Sequence, residues 1–170
     1  MNFTPETLVT VRTDYIEAII SKEEVEILID KNQINNLNNL ALISINDPQT
    51  QFTNEDRLPL AEKHCNEFSD FIQVGFWDIT SPSEDGTQLP IDENTISKLV
   101  NFIKTNHDKK FIIHCNAGIS RSAGVGLLVH AVLGDFNNLY EFKTGFNNVI
   151  DGHYRYAPNL TIVDGYFNNV

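Results

Sequence analysis

The stretch Phe111-Ile112-Ile113-His114-Cys115-Asn116-Ala117-Gly118-Ile119-Ser120-Arg121-Ser122 decides the architecture. Its three opening apolar residues, Phe111 to Ile113, predict a buried strand, and the small and polar residues from Asn116 to Ser120 predict a loop. After Arg121 the run Ser122-Ala-Gly-Val-Gly-Leu-Leu-Val-His-Ala-Val-Leu133 is apolar nearly all round. Such a pattern suits a helix buried in the middle of a domain, and Gly134 is placed to end it.

Working outward, Leu40–Ile45 and Phe71–Phe76 are short apolar runs between turn residues and read as further strands. Leu8–Arg12 is a weaker candidate for an edge strand. In Pro90-Ile91-Asp92, Asp92 is a helix cap and Ile91 a hydrophobic staple to Ile96; Ile96, Leu99, Val100 and Ile103 then recur at helical spacing. Paired asparagines at 35–36, 38–39, 137–138, 147–148 and 168–169 mark turns and helix ends. Strands alternating with helices predict an α/β fold, with a central, mostly parallel sheet of about four or five strands flanked by helices. No repeat, linker or like-charge run divides the chain, so residues 1–170 are expected to form one domain.

The chain is 41% hydrophobic and 21% charged, a globular composition. Its net charge of −11 repels nucleic acid and anionic lipid at long range, and neither is expected as a partner. The segment Met1 to Arg12 lacks the basic start and apolar centre of a signal peptide, and no apolar run approaches the ~20 residues that span a bilayer. A cytoplasmic location is expected. Two cysteines, Cys65 and Cys115, are too few for a disulfide framework or an all-cysteine zinc site. His64, His107, His130 and His153 show no metal-ligand spacing, so neither metal nor cofactor is expected.

A loop running from a strand into a helix N-terminus offers unpaired N–H groups and the positive end of the helix dipole to an anion. Cys115, at the mouth of that loop, lies in a field that favours the thiolate. Arg121, six positions later, carries a planar fork of donors to the same anion. Gly118 allows the backbone to curl, and Ser122 is able to hydrogen-bond the sulfur. Together these features suit phosphate.

His114-Cys115-x-x-Gly118-x-x-Arg121-Ser122 resembles the signature of the cysteine-based protein tyrosine phosphatase superfamily, and Asn116-Ala-Gly-Ile-Ser-Arg-Ser122 is most similar to its dual-specificity and bacterial-type branch. The close similarity covers about a dozen residues, with a looser likeness from about Leu40 to Leu133. The resemblance implies a phosphocysteine intermediate on Cys115. It implies that Arg121 and the loop positions Asn116, Ala117, Gly118, Ile119 and Ser120 hold the phosphate oxygens, and that Ser122 assists the sulfur. It also implies a general acid on a loop after the preceding strand, and Asp78, in Phe76-Trp77-Asp78-Ile79-Thr80, holds that place. Glu84, Asp85 and Asp92 compete for it, since Asp78 lies 37 residues before Cys115 and Ser81-Pro-Ser-Glu-Asp-Gly-Thr87 reads as an insertion. Ala157-Pro158-Asn159 is similar to a segment of some bacterial relatives.

His114 is expected to order the loop rather than act as a base, because its side chain alternates to the other face of the strand. Trp77 reads equally as a substrate wall and as core. Cys65 reads as a quiet thiol, the alternative being a disulfide with Cys115 on oxidation. Tyr154-Arg155-Tyr156 reads as an aromatic-rich helix–loop junction, the alternative being a contact at the substrate mouth. No lysine stands among the loop positions, which argues against a phosphoinositide or an RNA 5′-triphosphate and for a single phosphomonoester on a protein, phosphotyrosine first, with phosphoserine and phosphothreonine left open. A small-molecule, inositol phosphate or nucleotide phosphatase and a non-catalytic phosphate-binding module are the alternatives.

Overall fold

Strand β4 (Lys110–Cys115) lies inside the sheet because nearly all of it is apolar: Phe111, Ile112 and Ile113 are fully buried. It pairs in parallel with β1 (Ile16–Ser21) on one side and β2 (Leu40–Asn46) on the other, and β2 pairs in parallel with β3 (Asp70–Gly75). The order is β1-β4-β2-β3. The fold is therefore α/β, a four-stranded parallel sheet flanked by helices, in a computed structural model that describes residues 8–48, 58–134, 136–145 and 150–168. Residues 1–7 and the asparagines at 147, 148 and 169 lie outside the described residues.

Alternation along the strands divides the core in two. Phe111, Ile113 and Cys115 of β4 join Ala41, Ile43 and Ile45 of β2 on one face. Helices α3 (Glu93–Thr105), α4 (Arg121–Leu133), α5 (Leu139–Gly145) and α6 (Thr161–Asn168) cover that face. Ile112, Leu40 and Leu42 face the other way, against α1 (Lys22–Asp30) and α2 (Glu62–Cys65). Each fully buried Ile or Phe in such a core contributes about 1.5–3 kcal/mol relative to exposure.

The edge strand corrects the sequence reading. Leu8–Arg12 is irregular, and Ile16–Ser21 takes its place. The earlier segment still runs beside β1 but joins it through a side chain: Ile19 N–H donates to Thr10 Oγ1 at 2.8 Å, and Tyr156 Oη donates to the Ile19 carbonyl at 2.8 Å. With those groups taken, no backbone ladder forms there. A register shift between Ile16 and Ala18 lets Ile16 and Ile19 share one face, which breaks the alternation that marks a strand.

Helix α3 begins as expected, with Asp92 accepting from Thr95 N–H at 2.7 Å, and Asn138 accepts from Glu141 N–H at 2.9 Å beside α5. Helix α4 is buried from Arg121 to Ala131, in keeping with its apolar circumference. Because all four strands are parallel, their carboxyl ends lie on one edge of the sheet, where ligands bind in open α/β folds.

Candidate active site

Each strand delivers something to that edge. Strand β4 ends at Cys115, and the loop 116–120 turns into α4 at Arg121. Gly118, with φ +71°, sits so close to the end of β1 that an added Cβ would lie 2.5 Å from Ser21 N. No side chain fits there, and only glycine adopts that backbone without strain. The turn brings Gly118 N–H to 3.2 Å from Cys115 Sγ, and Ser122 Oγ lies 3.2 Å from the same sulfur. Cys115 is 3% exposed, at the bottom of an open cleft of about 530 Å³.

Asn116, Ala117, Ile119, Ser120 and Arg121 line that cleft on the loop side; Asp47, Trp77, Asp78, Ile79 and Gln88 line the other. Arg121 donates through Nη1 to Asp47 Oδ1 and to the Phe76 carbonyl, each at 2.8 Å. Strand β3 stops at Gly75, one residue short of the sequence reading, and Phe76 lies just beyond it. Both bonds use one nitrogen, so Nη2 and Nε keep their donors for an anion.

Asp78 is exposed at the rim. Its Oδ1 accepts from Ser120 Oγ at 2.8 Å and from Asn159 Nδ2 at 3.1 Å. Two of its competitors are engaged elsewhere. Asp85 closes a turn, where hydrogen bonds from Ser83 and then Thr87 hold its carboxyl down to about 2; Asp92 caps α3, and the Thr95 hydrogen bonds lower its carboxyl. Neither of them, nor Glu84, lines the cleft.

His114 is fully buried on the opposite face from Cys115. Its Nδ1 is 3.1 Å from the Cys115 carbonyl, which only accepts, so Nδ1 carries the proton. Nε2 then accepts from Ser44 Oγ at 2.6 Å. Burial holds the imidazole down to about 4 from an ordinary 6.5; the hydrogen bond to the Cys115 carbonyl works the other way, and the charges of Lys22 and Arg121 add to the depression. Between pH 6.5 and 4 the unfolded chain binds a proton that folded His114 refuses. Stability should therefore fall as pH drops through that window, by about 3 kcal/mol from this residue. His130, also pushed down to about 4 by burial, adds to the fall. Calorimetric melting from pH 8 to 4 should show Tm declining below 6.5, and His114→Asn should decline less steeply.

Cys65 is a free thiol buried with the cluster on the other side of the sheet from Cys115, and burial pushes it up to about 11. Sequence reasoning missed Asp47 and, though it singled out the stretches that hold Arg155 and Asn159, assigned neither a role. Asp47 follows β2 in Asn46-Asp47-Pro48, a stretch with the composition of a turn, and only its meeting with Arg121 sets it apart. Arg155 donates to the Gly118 carbonyl at 3.3 Å and forms an ion pair with Glu24, while Asn159 reaches Asp78. Burial raises the Glu24 carboxyl, but hydrogen bonds from Arg155 and Ser21 outweigh it, so the net shift is downward.

No family model matches the sequence, and no curated protein matches it. The fold is similar to that of a protein tyrosine phosphatase. One such solved structure is Tk-PTP, crystallised in its active form; the two chains are 13% identical, with a TM-score of 0.51 over 89% of this chain and 88% of that one. The likeness is one of fold. Among the described residues no helix is long and apolar enough to cross a membrane, and no three His, Cys, Asp or Glu side chains group to hold a metal ion.

Proposed function

We propose that residues 1–170 form a single-domain, cysteine-dependent phosphomonoesterase whose first substrate class is phosphotyrosine on protein. The observation that carries this reading is the convergence on one cleft of a sulfur receiving a backbone N–H, an arginine fork and a carboxylate.

In the first step the Cys115 thiolate attacks phosphorus and forms the P–S bond as the P–O bond to the leaving group breaks. Asp78 gives its proton to the departing oxygen. Arg121 Nη2 and Nε and the amides of the loop 116–120 meet the phosphoryl oxygens, where charge is greatest in the transition state. In the second step water attacks phosphorus, Asp78 takes a water proton, and the P–S bond breaks to release phosphate and the thiolate. Ser122 Oγ, at 3.2 Å, donates to that sulfur as it leaves. No step calls for a metal, so EDTA is expected to leave the rate unchanged.

Arg121 is paired with Asp47 and shares the cleft with a second carboxylate, Asp78, and no second cation lines it among the described residues. That balance favours one phosphate over several and matches the loop's lack of lysine. Trp77 is half-buried in the wall and Ile119 is 43% exposed on the rim, apolar surfaces that suit an aromatic leaving group. Both cysteines are free, which suits a reducing, cytoplasmic setting.

The test is turnover of p-nitrophenyl phosphate and a phosphotyrosine peptide, for the wild type and for Asp78→Ala. The variant should lose about a hundred-fold on the peptide, whose leaving group needs the proton, and less on p-nitrophenyl phosphate. Equal peptide turnover by the two proteins would remove Asp78 from the mechanism. Wild-type preference for a nucleotide or sugar phosphate over the peptide would favour a small-molecule phosphatase with the same chemistry.

A further inference from the structure

The chain from Arg155 to Asn159 lies against the loop and takes three of its successive carbonyls. Arg155 Nε donates to the Gly118 carbonyl at 3.3 Å, Ala157 N–H to that of Ile119 at 3.0 Å, and Asn159 N–H to that of Ser120 at 3.1 Å. In a trans peptide the carbonyl and the following N–H point in opposite directions. Tethering these carbonyls therefore turns the N–H groups of Ile119, Ser120 and Arg121 away from the strap and toward the cleft, where an anion would meet them.

The strap ends on a residue that also touches the acid. Asn159 is 5% exposed, and all the polar atoms of its side chain are used. Its Oδ1 accepts from Thr161 N–H at 3.1 Å and from Thr161 Oγ1, which leaves Nδ2 to donate to Asp78 Oδ1 at 3.1 Å and to the Ile79 carbonyl at 3.3 Å. The seat is tight: a Cβ on Gly124 of α4 would lie 2.5 Å from the Asn159 carbonyl oxygen. Ser120 Oγ donates to the same Asp78 oxygen, so both bonds fall on Oδ1 and neither uses Oδ2.

We propose that Asn159 is a positioning residue, fixing Asp78 over the loop that the same strap orients; the inference rests on Asp78 being the general acid. A displacement of about 1 Å in such a group costs up to a hundred-fold in rate.

The experiment is a double-mutant cycle between Asn159 and Asp78, with p-nitrophenyl phosphate and phenyl phosphate as good and poor leaving groups. Asn159→Ala should lose about ten-fold in kcat on phenyl phosphate and less on p-nitrophenyl phosphate, and should cost nothing further once Asp78→Ala is present. The dependence on the leaving group, and its disappearance with Asp78→Ala, are changes that a purely structural role would not produce. Equal losses on the two leaving groups, or a loss that persists with Asp78→Ala, would each overturn the proposal. If Asp78→Ala is impaired and Asn159→Ala is not, the positioning role falls alone; if Asp78→Ala is unimpaired, the acid falls and the proposal with it.

Discussion

Cys115→Ser should reduce turnover of p-nitrophenyl phosphate by about ten-thousand-fold or more, the scale on which nucleophile removal acts in covalent hydrolases. A serine hydroxyl at this position has no adjacent base to activate it. His114 faces the other side of the strand, with its one N–H given to the Cys115 carbonyl and Nε2 occupied by Ser44. The anion site should survive the change. The loop carbonyls remain tethered by residues 155–159 and Arg121 remains paired with Asp47, none of which involves the sulfur. Calorimetric titration of the variant with inorganic phosphate should give an affinity within a few-fold of the wild type. Loss of binding together with turnover would mean that the substitution had disturbed the loop.

Arg121→Lys should cost about a thousand-fold in kcat/KM, although the charge is kept. The guanidinium does two things at once from fixed geometry. Nη1 is held by Asp47 and the Phe76 carbonyl, and the rigid plane then aims Nη2 and Nε at the cleft. A lysine ammonium is a single point on a flexible stem. Bound to Asp47 it is drawn away from phosphate; bound to phosphate it gives up its ion pair with Asp47, whose side chain is only 11% exposed. The loss should appear in KM and in kcat, because phosphate binding and transition-state charge use the same donors, and steady-state kinetics against pH separates the two. A variant with wild-type kcat would remove Arg121 from the transition state.

The strand, loop and buried helix around Cys115 were legible because composition alone distinguishes them: three consecutive large apolar residues, then small polar ones, then an apolar helix. Asp92 was legible as a cap because its partner lies three residues away. The edge strand was not, since β1 is interrupted by Glu17 at an irregular register while Leu8-Val9-Thr10-Val11 has the β-branched character of a strand. What decides between them is the Thr10 hydroxyl taking the place of a backbone partner, a tertiary event. The site divides in the same way. Cys115, Gly118, Arg121 and Ser122 sit within eight residues and carry their chemistry in their spacing. Asp47 reaches the cleft, Arg155 the loop and Asn159 the Asp78 carboxylate, each from a distant position through contacts that no local pattern encodes.

The proposed phosphocysteine is tested most directly by mixing the protein with excess p-nitrophenyl phosphate, quenching in acid within the first turnovers, and mapping phosphate on the peptide that contains residue 115. Phosphate on Cys115 in the wild type, absent in Cys115→Ser and unchanged by EDTA, is the expected result. Steady turnover with no phosphate on Cys115 at any quench time, and with undiminished rate in Cys115→Ser, would contradict it.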